Sequence, residues 1–145
     1  MMITVTYTEP AFRIKKEKER VIIFDAIRRI WLPLTDEEWV RQNFVQFLIQ
    51  VLQYPSAFIA IEKEIFLNDL KKRFDILIYD RNHKPWMLVE CKAASVVLNE
   101  SVLQQVLRYN MSVPVTFMII TNGHYTYGWE KVGASLQELS EMPVF

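Results

Sequence analysis

Asp75, in the run RFDILIYD, and Glu90 and Lys92, in the run VECK, bring two carboxylates and one ammonium into a short stretch of chain. The gap between the runs is of hairpin length, with a turn expected at Arg81-Asn82-His83-Lys84. If Tyr79 faces Trp86 across that turn, an antiparallel register pairs Leu77 with Leu88, Asp75 with Glu90 and Arg73 with Lys92. Residues directly opposed on one sheet face have Cβ atoms roughly 4.5–5.5 Å apart, where like charges repel. A divalent cation held by both carboxylates would relieve that repulsion, because hard cations take oxygen ligands. Lys92, two residues beyond Glu90, falls on the same face. The chemistry open to such a set is that of a metal ion with an amine beside it.

These residues need a sheet and helices to hold them. The other face of the hairpin is expected to set Phe74, Ile76 and Ile78 against Cys91, Val89 and Met87, apolar throughout and therefore buried. A further strand is expected within AFIAIEKEIF, residues 57–66. Ahead of it, Thr35 and Glu38 form a capping-box pattern, and the acids Asp36, Glu37 and Glu38 suit the first turn of a helix running to about Gln53. Its apolar stripe is Val40, Phe44, Phe47, Leu48 and Val51, with Glu38, Arg41 and Gln42 on another. Asn99 starts a second helix that packs through Val102, Leu103, Val106 and Leu107 and leaves Ser101, Gln105 and Tyr109 alongside. Residues 115–121 read as a strand buried on both faces. They would lie parallel to 86–92 through a right-handed crossover, which makes the sheet mixed. Asn122-Gly123 is a turn, and Tyr125, Tyr127 and Trp129 alternate in a last strand. Near the N-terminus, Ile3–Tyr7 and Val21–Phe24 suggest a β-hairpin or flap, with the stretch IKKEKER between them. The expected organisation is one domain: a β extension over residues 1–30 packed on an α/β (α+β) core over 31–145.

Composition narrows the classes. Lys+Arg and Asp+Glu are 17 each in 145 residues, so no general field attracts a polyanion, and nucleic-acid contact must come from a local patch. Hydrophobic residues make up 51%, too many for a disordered chain. One cysteine, Cys91, forms no intramolecular disulfide, and no apolar run reaches bilayer length. With no basic segment followed by an apolar stretch at the N-terminus, these features lead to the expectation of a cytoplasmic protein.

The order helix, three strands, helix, strand, with Asp75 on the second strand and Glu90-Cys91-Lys92 on the third, resembles the PD-(D/E)XK nuclease superfamily and its restriction-endonuclease-like αβββαβ core. Here the signature reads D-x(14)-E-x-K, with Phe74 at the variable position before the first acid. Gln105 and Tyr109 add the Q-x-x-x-Y of the RecB-like branch. More closely, IFDAIRRIWLPLTDEEWVRQNFVQFLI, YPSAFIAIEKEI, KRFDILIYD, LVECKA, QVLRYN and MIITNGHYTYGW are similar to the N-terminal nuclease domain of type I restriction enzyme R subunits, in a small stand-alone form without the helicase motor. The resemblance implies Mg²⁺, with Mn²⁺ as substitute, held by Asp75, Glu90 and the backbone carbonyl of Cys91. It implies Lys92 beside the attacking water and an early acid, Glu38 or its neighbour Glu37, at a second metal or its water. DNA would be the substrate, with Gln105 and Tyr109 on its phosphate or steadying Lys92. Lys71, Lys72 and Arg73, which precede the catalytic strand, could meet the nucleic-acid backbone. A helicase or translocase, a specificity subunit, or a second copy in a homodimer would be the partner.

Plainer fates stand beside these. Asp75, Glu90, Arg73 and Lys92 could form an exposed salt-bridge cluster, or the fold could serve as a nucleic-acid- or protein-binding module without turnover. Cys91 points to the apolar face and reads as packing. His83 and His124 sit at turns, away from any metal-ligand pattern, and Glu62 and Glu64 read as strand-face charges. Tyr125, Tyr127 and Trp129 are more simply sheet packing than base-stacking. IKKEKER is most simply a solvated turn or edge, with nucleic-acid contact as the other reading.

Overall fold

The computed structural model describes residues 2–145. Two sheets and two helices build it: a three-stranded antiparallel sheet and a six-stranded mixed sheet. The first sheet comprises β1 (Ile14–Glu17), β2 (Arg20–Asp25) and β3 (Ile30–Pro33). The second runs in the order β4 (Ile59–Leu67), β5 (Leu70–Tyr79), β6 (Pro85–Cys91), β7 (Phe117–Thr121), β8 (Thr126–Val132) and β9 (Ser135–Glu138). Among the described residues only β6 and β7 pair in parallel, and α2 (Glu100–Asn110) lies between them in the chain, the arrangement expected for a pair that no tight turn can join.

α1 (Asp36–Gln46) begins where Thr35 accepts the Glu38 N–H at 3.0 Å. The other half of the capping box is not made, because the Glu38 carboxylate is drawn to Arg41 and Gln42. The helix continues as a π turn over Phe47–Val51. This widened turn rotates the following faces, so Val51 is exposed instead of completing the apolar stripe. Asn99 caps α2 by accepting from the Val102 N–H at 2.9 Å.

The mixed sheet is covered on both sides. One core joins Val40, Phe44 and Leu48 of α1 to Ile76, Ile78, Met87, Val89 and Cys91. The other joins Leu107 of α2 to Phe74, Leu77, Leu88, Met118 and Ile120. Phe74 therefore leaves the face on which its i+2 neighbour Ile76 sits. The cause is local: Glu62, opposite Asp75, has φ +50°, and the 62/75 pair drops out of the β4–β5 ladder. Strict alternation fails at the residue that carries the first acid.

Four more details differ from the expected pattern. The β5–β6 register holds for Ile76/Val89, Leu77/Leu88 and Ile78/Met87 but shifts at Tyr79, which meets Pro85 instead of Trp86. Asp80 sets the shift, its side chain accepting the N–H groups of Asn82 and Lys84 at 2.8 and 3.0 Å. Arg73 pairs with Glu64 of β4, and the Lys92 N–H donates to Thr121 of β7, so these two do not oppose each other in a ladder. Finally, Ile3 makes an isolated bridge to Thr126 and Ile3–Tyr7 forms no hairpin with 21–24. The hairpin is made by β1 and β2 out of the IKKEKER stretch itself, and β3 closes its sheet across residue 30. β9, turned by Gly133 at φ +62°, adds a strand beyond 125–129.

Candidate active site

The β5–β6 ladder gives out just short of Asp75 and Glu90, and side chains take over. Asp75 Oδ2 accepts the Cys91 N–H at 2.8 Å, a bond that a strand neighbour would otherwise fill. Its Oδ1 lies 3.4 Å from Arg41 Nη1. Burial pushes the Asp75 carboxyl above its ordinary range, opposed by the Cys91 N–H and by the charges of Arg41 and Lys92. Glu90 is pushed up to about 7, first by burial and then by the charge of Asp75, with Lys92 pulling the other way. Lys92 Nζ is 3.7 Å from Glu90 Oε1. Two carboxylates and an ammonium thus share one electrostatic site, in which burial first and then the charge of Asp75 hold Glu90 up although Lys92 pulls it down.

The first helix contributes both of its candidate acids, in different ways. Glu38 is buried, gripped by Arg41 Nη2 at 2.7 Å and Nε at 3.0 Å and by Gln42 Nε2 at 2.9 Å. Burial alone would raise its pKa, but these bonds and the charges of Arg41 and Arg28 lower it. Its oxygens are already satisfied by the chain. Glu37 is exposed, and its raised pKa follows from burial first and then from Asp75. Glu37 also raises Glu90. Of the two, Glu37 is the acid whose charge reaches the site.

Gln105 and Tyr109 of α2 line one cleft with Glu90 and Lys92. Lys72 and Arg73 part ways. Arg73 is exposed, 3.8 Å from Glu64. Lys72 is 5% exposed; its Nζ donates to the Tyr109 carbonyl and lies 4.4 Å from the centre of the Tyr109 ring. Bound at the C-terminal end of α2, where a cation suits the helix dipole, Lys72 is a clamp between strand and helix and is not free to meet a phosphate. Cys91 is packed in the α1-side core and burial pushes its thiol well up, which leaves it no nucleophilic character.

The sequence places Arg41 only on a helix stripe. It spans Glu38 at 2.7 Å, Glu62 at 3.3 Å and Asp75 at 3.4 Å while 6% exposed. Arg28, from the β2–β3 connection, reaches Asp25 at 2.7 Å, Glu62 at 3.3 Å and Glu38 at 3.5 Å. The i,i+3 spacing of Glu38 and Arg41 was the available signal for the first pair. Arg28 follows Asp25 at the same spacing but outside any helix pattern, and its other partners, Glu38 and Glu62, are distant in sequence.

Among the described residues, no group of three or more His, Cys, Asp or Glu side chains gathers as a metal cage. Two carboxylates in mutual repulsion nevertheless fit Mg²⁺, which keeps several waters and is commonly held by one or two carboxylates.

A six-stranded mixed sheet with helices on both faces and acids at one strand end is a nuclease-like α+β architecture. The family model of the type I restriction enzyme R protein N terminus matches residues 36–143, and the chain belongs to that family. That membership ties it to a nuclease-related or restriction-system role. No curated protein matches the chain. Among the described residues, no helix is long and apolar enough to cross a membrane.

Proposed function

We propose that this chain is a metal-dependent endonuclease-like phosphodiester hydrolase of the PD-(D/E)XK type acting on DNA. The observation that carries the reading is Glu90, a half-buried carboxylate in one electrostatic site with Asp75 and pushed to about 7 although Lys92 stands 3.7 Å away. A chain gains no stability from holding two carboxylates in that state, and groups so perturbed concentrate at functional sites. Asp75 and Glu90, with the Cys91 carbonyl, would hold Mg²⁺ or Mn²⁺, whose chemistry when bound is polarisation of the phosphate and acidification of water.

The remaining work falls to the chain. Lys92 directs an ammonium at the attacking water and at the charge that grows on the phosphate oxygens. Asp75 is held to the Cys91 N–H and to Arg41, so its carboxylate is fixed before substrate arrives. Gln105 and Tyr109 would steady the phosphate from the α2 side of the cleft. Hydrolysis would leave a 5′-phosphate. The family supports DNA and a complex as the setting; a translocase or a specificity subunit would be the partner within it.

One observation favours a second reading, a binding module without turnover: Arg41 already supplies Asp75 with a counter-charge. Titrating Mg²⁺ into wild type, Lys92→Ala and Asp75→Ala with a plasmid substrate separates the two. Cleavage by wild type alone is expected. A salt-dependent gel shift with no cleavage by any of the three would establish the module instead.

A further inference from the structure

Five cations, Arg13, Lys15, Lys16, Lys18 and Arg20, crowd one short run against only Glu17 and Glu19, in a chain whose Lys+Arg and Asp+Glu are 17 each. The fold sets this run out as a ribbon. β1 is exposed along its whole length and pairs with β2, Lys16 opposite Val21 and Glu17 opposite Arg20, so that Lys18 stands at the tip of a two-residue turn with φ +57°. Aromatic rings prop two of the cations. Lys15 Nζ lies 4.2 Å from the centre of the Trp31 ring, and the Arg13 guanidinium lies 4.6 Å from Phe24 and 5.3 Å from Trp31. Phe24 and Trp31 pack edge to face at 5.4 Å. Rings orient a cation without cancelling its charge.

The other exposed basic hairpin behaves differently. On β5, Lys71 and Arg73 both lean on Glu64, at 3.2 and 3.8 Å. On the ribbon, Lys15 has Glu17 at 3.7 Å. Among the described residues, Arg13, Lys16, Lys18 and Arg20 have no carboxylate within ion-pair distance. The ribbon also precedes residue 36, where the family match begins. Through Arg28, at the end of β2 opposite the Lys18 turn, its sheet joins Glu38 and Glu62, which share Arg41 with Asp75, so the sheet that carries the ribbon is tied to the flank of the candidate active site.

We propose that the β1–β2 ribbon is a second nucleic-acid contact, gripping the phosphodiester backbone of the DNA that the candidate active site takes, a proposal that rests on the nuclease-like reading above. The Trp31 and Phe24 faces are taken by Lys15 and Arg13, which leaves phosphate contact, not base stacking, as the chemistry on offer. Such contacts set position and affinity without reading sequence. Lysines on an edge strand also discourage strand pairing between copies; that role requires no rings to orient them.

The test is binding of a fluorescein-labelled duplex in EDTA, read by anisotropy over a range of salt. Wild type is compared with the triple variant Lys16→Ala, Lys18→Ala, Arg20→Ala, whose thermal melt should match because all three side chains are exposed. Binding by the variant should be about tenfold or more weaker at low salt, with a salt slope shallower by about 2–3, since each phosphate contact contributes about 0.9. Wild-type affinity and slope in the variant would overturn the proposal. So would loss of binding to phosphatidylserine vesicles with DNA binding intact, which would make the ribbon a membrane contact. If wild type never cleaves DNA yet the variant loses affinity, the catalytic reading fails and the ribbon stands; if cleavage occurs and the variant keeps the wild-type KM, the ribbon alone fails.

Discussion

Glu38 and Glu90 are both carboxylates withdrawn from water beside a cation, and their environments drive them in opposite directions. Arg41 and Gln42 meet both Glu38 oxygens, and its carboxyl sits below the ordinary range despite burial. Glu90 has Lys92 at 3.7 Å and Asp75 as a like-charged neighbour, and is pushed up to about 7. The difference separates charge that holds the fold together from charge that the fold tolerates. Around Glu38 each acid has a close cation, Arg28 at 2.7 Å from Asp25 and Arg41 at 2.7 Å from Glu38, within a network that also takes in Glu62. At Asp75 and Glu90 the nearby cations do not offset burial: Arg41 is shared with Glu38 and Glu62, Lys92 stands 3.7 Å from Glu90, and both carboxyls stay above their ordinary range.

The strongest way to break this comparison is to delete Glu38. Glu38→Ala leaves Arg41 buried at 6% exposure without its bidentate partner, and removing one member of a buried ion pair costs about 3–5 kcal/mol. Urea unfolding should show a loss of that order. If stability held and Mn²⁺ affinity fell instead, Glu38 would belong with the metal-binding acids and the contrast would disappear.

Lys92→Ala should do the reverse. Its side chain is 33% exposed, so urea unfolding should move by less than about 0.5 kcal/mol, as for most surface changes. Cleavage should fall by about 10²–10³, the cost of removing one preorganised stabiliser of developing charge. A large stability loss with unchanged cleavage would reassign Lys92 to the structural group.

Much of this was legible in the sequence, and the failures have physical causes. The register of 76–78 against 87–89 follows from alternation. Asp75 and Glu90 are not paired in that ladder as the register predicts; they still share one electrostatic site just beyond its end. Helix caps at Thr35 and Asn99 follow from short side chains that accept N–H bonds. What alternation cannot convey is its own local failure. Glu62 at φ +50° sends Phe74 to the α2 side, and the Asp80 loop moves Tyr79 onto Pro85. The IKKEKER stretch looks solvated because it is solvated; its strand character comes only from pairing with β2. The reach of Arg28 to Glu38 and Glu62 is invisible locally because both are distant in sequence.

The smallest effect sharpens the comparison most, because it predicts a gain. Glu90 binds its proton more tightly folded than unfolded: its pKa rises to about 7 from the ordinary glutamate value of about 4.3. For an acid shifted this way the folded state is favoured while the group is protonated, and that advantage is lost as pH climbs from about 4.3 to about 7. Asp25 and Glu38 have the opposite sign. Burial works against both, but the Arg28 and Gln42 bonds to Asp25, and those of Arg41 and Gln42 to Glu38, lower their pKa values. Their contribution is full above the ordinary carboxylate range and fades as pH falls through the lower folded values. Glu90→Gln should therefore be more stable than wild type by about 1–2 kcal/mol at pH 8 in EDTA, with no difference near pH 4. Asp25→Asn should be less stable at pH 8, and its deficit should shrink in acid. Urea unfolding at the two pH values reads both. Added Mg²⁺ should stabilise wild type and leave Glu90→Gln unmoved, because a ligand that binds only the folded state raises its stability in proportion to occupancy. Were Glu90→Gln no more stable than wild type at pH 8, Lys92 would be sufficient counter-charge for Glu90, and the acid pair would carry no deficit for a cation to fill.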